Sequence, residues 1–131
     1  MWNQVYSEKD IIKLMKMFNN FHDSCIKEIS YISGAYVNND LSMNPINSKR
    51  SLKVIFNRQE ENPIAIEVEF LNLVKMNLVP YNESYTCEID NASFYYKEKL
   101  LYWVDTSNIS NLDQYNGTWI CAEKARWRIA D

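Results

Sequence analysis

From Leu52 to Leu71 the chain alternates apolar and polar residues twice, around one polar interruption. Leu52, Val54 and Phe56 share one parity against Lys53, Ile55 and Asn57; beyond the QEENP break, Ile64, Ile66, Val68 and Phe70 oppose Ala65, Glu67, Glu69 and Leu71. Successive side chains of a strand point to opposite faces, so a period of two marks strands with one covered face. The short polar loop between them predicts an antiparallel pair.

A different period precedes this pair. Ile11, Leu14, Met15 and Phe18 recur at i, i+3, i+4 and i+7, the apolar stripe of a helix. Ser7 and Asp10 form a capping box ahead of it, and Tyr6 stands where a hydrophobic staple would meet Ile11. The helix is expected from Glu8 to about Phe21. Residues 25–37 return to strand chemistry, with Ile29, Tyr31, Ala35 and Val37 on one face and Gly34 at a bend; 41–50 reads as a loop. In 84–97 the apolar set changes phase, Tyr85, Cys87 and Ile89 giving way to Phe94 and Tyr96, which requires a bulge or turn at Asp90-Asn91. A turn at 97–99 leads into a strand at 100–105. After the loop 106–117, a last strand places Trp119, Cys121, Ala125 and Trp127 opposite Lys124, Arg126 and Arg128. One helix followed by hairpin-linked strands, without a βαβ rhythm, gives an α+β fold. An N-terminal helix packs on a twisted, mainly antiparallel sheet of about six strands.

With 131 residues and only two glycines and three prolines, residues 1–131 are expected to form a single domain without a flexible linker. A net charge of −3 argues against a nucleic-acid partner, whose binding face is basic. No apolar run reaches the roughly 18 residues of a membrane span and the N-terminus has no signal-peptide pattern, so a cytoplasmic location without membrane association is expected. Cys25, Cys87 and Cys121 show no paired spacing, so neither a disulfide framework nor a metal is expected, and no cofactor motif is present.

Four groups of residues could carry chemistry. His22 and Asp23, within FHDSC, could titrate near neutral pH, but neighbours in sequence seldom assemble a triad, and the same residues can terminate a helix at a helix-to-strand corner. Glu67 and Glu69 project from one strand face about 7 Å apart, as a glycosidase pair could or as a solvated face would. Lys124, Arg126 and Arg128 could grip a carboxylate-rich or phosphate-bearing partner, or pair with acidic residues such as Glu67 and Glu69 should the strands be neighbours. Four tryptophans and nine tyrosines exceed what a small core absorbs; Tyr96, Trp103, Trp119 and Trp127, with the two arginines, are the candidate binding residues.

The N-terminal helix running into Phe21-His22-Asp23-Ser24, with Trp103 and the closing W-x-x-A-x-x-x-R-W-R stretch that holds Trp119, Trp127 and Arg128, resembles a group of small uncharacterised bacterial proteins of domain-of-unknown-function type. Comparable small α+β proteins occur among immunity proteins of toxin systems, and the resemblance implies that kind of role. The expectation is a non-enzymatic protein-binding domain, an immunity-like partner of a bacterial toxin. The alternative is a small hydrolase or ligand-modifying enzyme using His22 and Asp23 with Glu67 or Glu69. A homodimer formed through a sheet edge is a third reading.

Overall fold

The computed structural model describes residues 1–109 and 111–130. In chain order the elements are β1 (Asn3–Val5), α1 (Glu8–Met17), a 3-10 turn (Asn19–Phe21), β2 (Ser24–Ile32), β3 (Tyr36–Val37), β4 (Met43–Asn44), β5 (Ser51–Arg58), β6 (Ala65–Asn77), β7 (Ser93–Lys97), β8 (Leu100–Val104) and β9 (Trp119–Ile129). Among the described residues, seven strands form one sheet in the order β2-β5-β6-β9-β8-β7, with β1 also on β9; β3 and β4 make a separate two-stranded piece. Every pairing among the described residues is antiparallel. The α+β architecture is as expected, with seven strands in place of about six because the N-terminal Asn3–Val5 joins the sheet.

The alternating segments set the register. Leu52 lies opposite Phe70, Val54 opposite Val68 and Phe56 opposite Ile66, so both apolar sets share one face. That face is buried under α1, whose Ile11 and Leu14, with Phe18 just beyond, join the same core. Ser7 caps the helix by accepting from the Asp10 amide at 3.4 Å, while Asp10 reaches back to the Tyr6 amide at 2.8 Å. Tyr6 itself stays exposed and forms no staple.

The helix ends four residues before Phe21. Asn19, Asn20 and Phe21 all have φ between 49° and 60°, a left-handed run that no α-helix continues through. Asparagine tolerates this region, but phenylalanine does so only at a cost that surrounding contacts must offset. Those contacts exist: the Phe21 ring lies edge-on to Phe18, Phe56 and Trp103 at centroid distances of 5.1, 4.8 and 5.7 Å.

Two further expectations need correction. Within 41–50, Met43 and Asn44 form β4 and pair with β3. Tyr85, Cys87 and Ile89 do not lie on a regular strand; the segment makes only isolated bridges, Asn82 with Tyr85 and Ser24 with Ile89. Local bonds compete with a ladder there, since the Ser84 amide donates to the Asn82 side chain and the Glu88 amide to Thr86 Oγ1.

The last strand also departs from one parity. Ile120 and Ala122 enter the core from its first half, Ala125 and Trp127 from its second, and the phase changes across exposed Glu123 and Lys124. On the partner strand β6 the core set jumps correspondingly from Phe70 to Leu73, with Asn72 at φ 56° between them. Trp119 and Cys121 therefore sit on the outer face, away from the helix, with Tyr102 opposite Cys121.

Candidate functional site

The corner after α1 brings His22, Asp23 and Asp90 together. His22 Nδ1 lies 2.7 Å from the Asp90 carbonyl oxygen, placing a ring N–H there, and Nε2 lies 3.2 Å from Asp23 Oδ2. The surrounding backbone is tied down as well: Ser24 Oγ donates to the Phe21 carbonyl at 2.6 Å, the Ala92 amide to Asn20 and the Gln59 amide to Asp23. Both imidazole nitrogens thus face oxygens of the fold itself. Ligand atoms of His22, Asp23 and Asp90 lie within 4.8 Å of one another. The Asp90 carboxylate stands 3.6 Å from Nδ1, the nitrogen already directed at the Asp90 carbonyl.

Beneath this corner lies an open cavity of about 360 Å³, lined among others by Asp23, Ser24, Cys25, Asn57, Arg58 and Cys87. Burial, and secondarily the neighbouring Cys87, push the Cys25 thiol up, which keeps it protonated and unlike an activated nucleophile. His22 does not line it.

Glu67 and Glu69 lie elsewhere, on the outer face of the sheet, where the cross-strand register sets Glu67 against Arg128 and Glu69 against Arg126. Arg128 Nε donates to Glu67 at 2.8 Å and Arg126 approaches Glu69 to 2.6 Å. Ser51 Oγ adds a second donor to Glu69 at 2.5 Å. Burial by itself would raise the Glu69 pKa, but the bonds from Ser51 and Arg126 and the charges of Arg126 and Lys53 outweigh it and hold the carboxyl below its usual range. Both guanidinium groups also lie over the Trp2 ring, 4.3 and 4.2 Å from its centroid. The four charges satisfy one another, and the fold does not bring either glutamate to His22.

The aromatic candidates divide. Trp103 is completely enclosed and Trp127 only 9% exposed, so both belong to the core, while Tyr96, partly buried, directs its hydroxyl to the Val5 carbonyl at 3.3 Å. Trp119 remains half-buried on the outer face beside a shallow hollow shared with Tyr95 and Tyr102. Those two tyrosines stack at 5.2 Å, and burial, followed by the bond to Cys121, pushes the Tyr102 phenol up to about 12.

A feature that the sequence reading passed over is the arm between Ser33 and Arg50. The Ser33 carbonyl closes its base by accepting from the Lys49 and Arg50 amides, both at 3.0 Å, and Gly34 sits at φ 96°, where a Cβ would come 2.7 Å from the Lys49 nitrogen. At its tip Asp40 accepts from the Ser42 amide and hydroxyl, bonds that lower its pKa, and the Asn38 amide donates to the Ser42 carbonyl at 2.8 Å. Between these fixed ends Tyr36, Val37, Leu41, Met43 and Ile46 are all more than half exposed, Leu41 reaching 83%. Tyr31 and Ile32 carry the exposed apolar surface back onto β2, an edge strand of the sheet. The overlooked signal was the density of apolar residues in a segment with turn chemistry and a single charged residue, Asp40, between Ile32 and Ser48.

No protein-family model, curated protein or solved structure matches the chain at a significant level.

Proposed function

We propose that this chain is a non-enzymatic protein-binding domain whose contact element is the β3–β4 arm. The observation that carries the reading is the set of exposed apolar side chains on a backbone held at both ends by hydrogen bonds. A two-stranded hairpin is marginal on its own, and these side chains contribute little burial to the fold that bears them. A pre-ordered turn lowers the entropy lost on docking, which favours a role in association. Asp40 is the only charge on the arm proper, so the partner is a protein presenting an apolar, sparsely charged surface.

The absence of convergence among His22, Asp23, Glu67 and Glu69 favours binding over hydrolysis. An immunity-like role, in which a bacterial cytoplasmic protein occludes a toxin, is the form of this reading that the family resemblance suggests. No helix among the described residues is long and apolar enough to cross a membrane.

The experiment replaces Val37, Leu41 and Met43 by serine and carries a photo-crosslinker at Tyr36 in the otherwise native chain. A partner crosslinked at Tyr36, co-purified by the native chain and by a Glu67→Gln control but lost by the triple-serine variant at unchanged melting temperature, is the expected result. Retention of the partner by the triple variant would overturn the assignment. Crosslinking only to a second copy, with a dimer that dissociates in the variant, would replace the heterologous partner with self-association. For the immunity-like form, the captured partner should arrest growth when expressed alone.

A further inference from the structure

We infer that the hollow beside Trp119 on the outer sheet face is a binding site for a neutral saccharide, taking one sugar ring at a time. Three partly buried rings, Tyr95, Tyr102 and Trp119, line it together with the exposed residues Lys97, Asn111 and Asp113. Its volume of about 240 Å³ falls below the roughly 300–1,000 Å³ of pockets that hold drug-sized molecules, which limits the occupant to a single ring. β7 and β2 are opposite edges of the sheet, so the hollow is remote from the arm that follows β2 and independent of its role in docking.

Strand register gathers the rings. Tyr95 lies opposite Tyr102 across β7 and β8, and Val104 opposite Trp119 across β8 and β9, which brings all three aromatics to one face. The two tyrosine rings stack within 12° of parallel at 5.2 Å. Partly exposed rings of this kind keep apolar surface open to a ligand. A second wall comes from the loop after β8 and is ordered before any ligand arrives. The Asp113 amide donates to Asn111 Oδ1 at 2.9 Å, the Tyr115 amide to the Leu112 carbonyl at 3.0 Å, and the Tyr115 hydroxyl to Asp105. A wall already fixed loses little entropy on binding.

Charge decides the class of ligand. A nucleotide would bring its phosphate against the Asp113 carboxylate, and the one lysine at the hollow, Lys97, already has a partner in the fold. A cationic ligand would meet the Lys97 ammonium. A neutral polyol meets neither penalty. The C–H bonds on one face of a pyranose carry slight positive charge and pack against the negative faces of aromatic rings. Its hydroxyls donate and accept at once, which matches a carboxylate beside a side-chain amide. Among the described residues no donor reaches the Asp113 carboxylate, and the Asn111 side-chain nitrogen brings two N–H donors to the same hollow.

The test follows the Trp119 indole N–H and the Asn111 side-chain amide by proton–nitrogen correlation NMR of the full chain. Methyl glycosides of glucose, galactose, mannose and N-acetylglucosamine are titrated in, with adenosine monophosphate and putrescine as the anionic and cationic arms. The expected result is a saturable shift of both signals with at least one glycoside, at a dissociation constant on the order of 1 mM, and none with the charged arms. Asp113→Ala, at an exposed loop position that does not threaten folding, and Trp119→Ala should each weaken binding about tenfold or more. The serine variant of Val37, Leu41 and Met43 should bind the glycoside as the native chain does. No saturable shift with any glycoside up to about 50 mM, a stronger response to adenosine monophosphate or putrescine, or glycoside binding undiminished in both hollow variants would each overturn the inference.

Discussion

Removing the Glu69 carboxylate is the sharpest test of how the outer sheet face is held. In Glu69→Ala the Arg126 guanidinium and the Ser51 hydroxyl both lose their acceptor, at a site where Glu69 is 4% exposed. Breaking a fully buried ion pair costs about 3–5 kcal/mol, and losing a hydrogen bond to a charged group about 1.5–3 kcal/mol. The side chain of Arg126 is 32% exposed and rests on Trp2, so water rehydrates it in part and the lower figure governs. The expected loss is about 2 kcal/mol, which for a domain of this length lowers the melting temperature by about 6–10 °C. Urea denaturation of Glu69→Ala, Arg126→Ala and the double variant supplies the cycle, and a coupling near 1 kcal/mol or more is expected. Glu67→Ala is the internal control: its partner Arg128 is 42% exposed, so its loss should stay below about 1 kcal/mol. Equal effects at the two glutamates, or single-variant losses that simply add at Glu69 and Arg126, would refute the reasoning from burial.

Three other outcomes follow from the same structure. Because the Glu69 pKa is lower in the folded chain than its ordinary 4.5, its contribution is fully present above that value and is lost as pH falls through the folded pKa; the stability gap between wild type and Glu69→Gln, measured by urea titration, should narrow below about pH 4. Phe21→Ala removes a ring packed against Phe18, Phe56 and Trp103 and should cost about 3–5 kcal/mol by the same assay, because alanine keeps the Cβ and so leaves the backbone strain at φ 60° in place. Asp105 accepts from the hydroxyls of Tyr85 and Tyr115 and from the Thr118 amide at 3.2 Å, so Asp105→Ala should destabilise by about 2 kcal/mol and return the Tyr115 phenol, now raised by burial and by Asp105, toward ordinary titration in ultraviolet absorbance.

Particular residues mark where sequence reading succeeded. The parity of Leu52, Val54 and Phe56 against Val68 and Phe70 gave the pairing and buried face of β5 and β6, because a half-covered sheet forces a period of two. Ser7 and Asp10 marked the helix start, because capping depends on atoms three residues apart. The helix end was misplaced because Phe21 is apolar at the right spacing yet sits in a left-handed conformation that only the aromatic cluster sustains. Tyr85, Cys87 and Ile89 alternate like a strand, but side-chain bonds to the local backbone claim donors that a ladder would need.

The candidate sites divide along the same line. That Arg126 and Arg128 could meet Glu67 and Glu69 was readable as charge pattern; that they do depends on β9 lying beside β6, a pairing between residues some sixty positions apart. Hydrophobic period, capping and turn chemistry act over a few residues and are written into the chain directly, so the sequence alone determined the helix, the central hairpin and the α+β class. Which aromatics are enclosed, which thiols face one cavity, and that the apolar residues of 36–46 lie outside the core are consequences of long-range packing. Only the tertiary structure decided them, because burial is a property of what lies across the fold and not of neighbours along it.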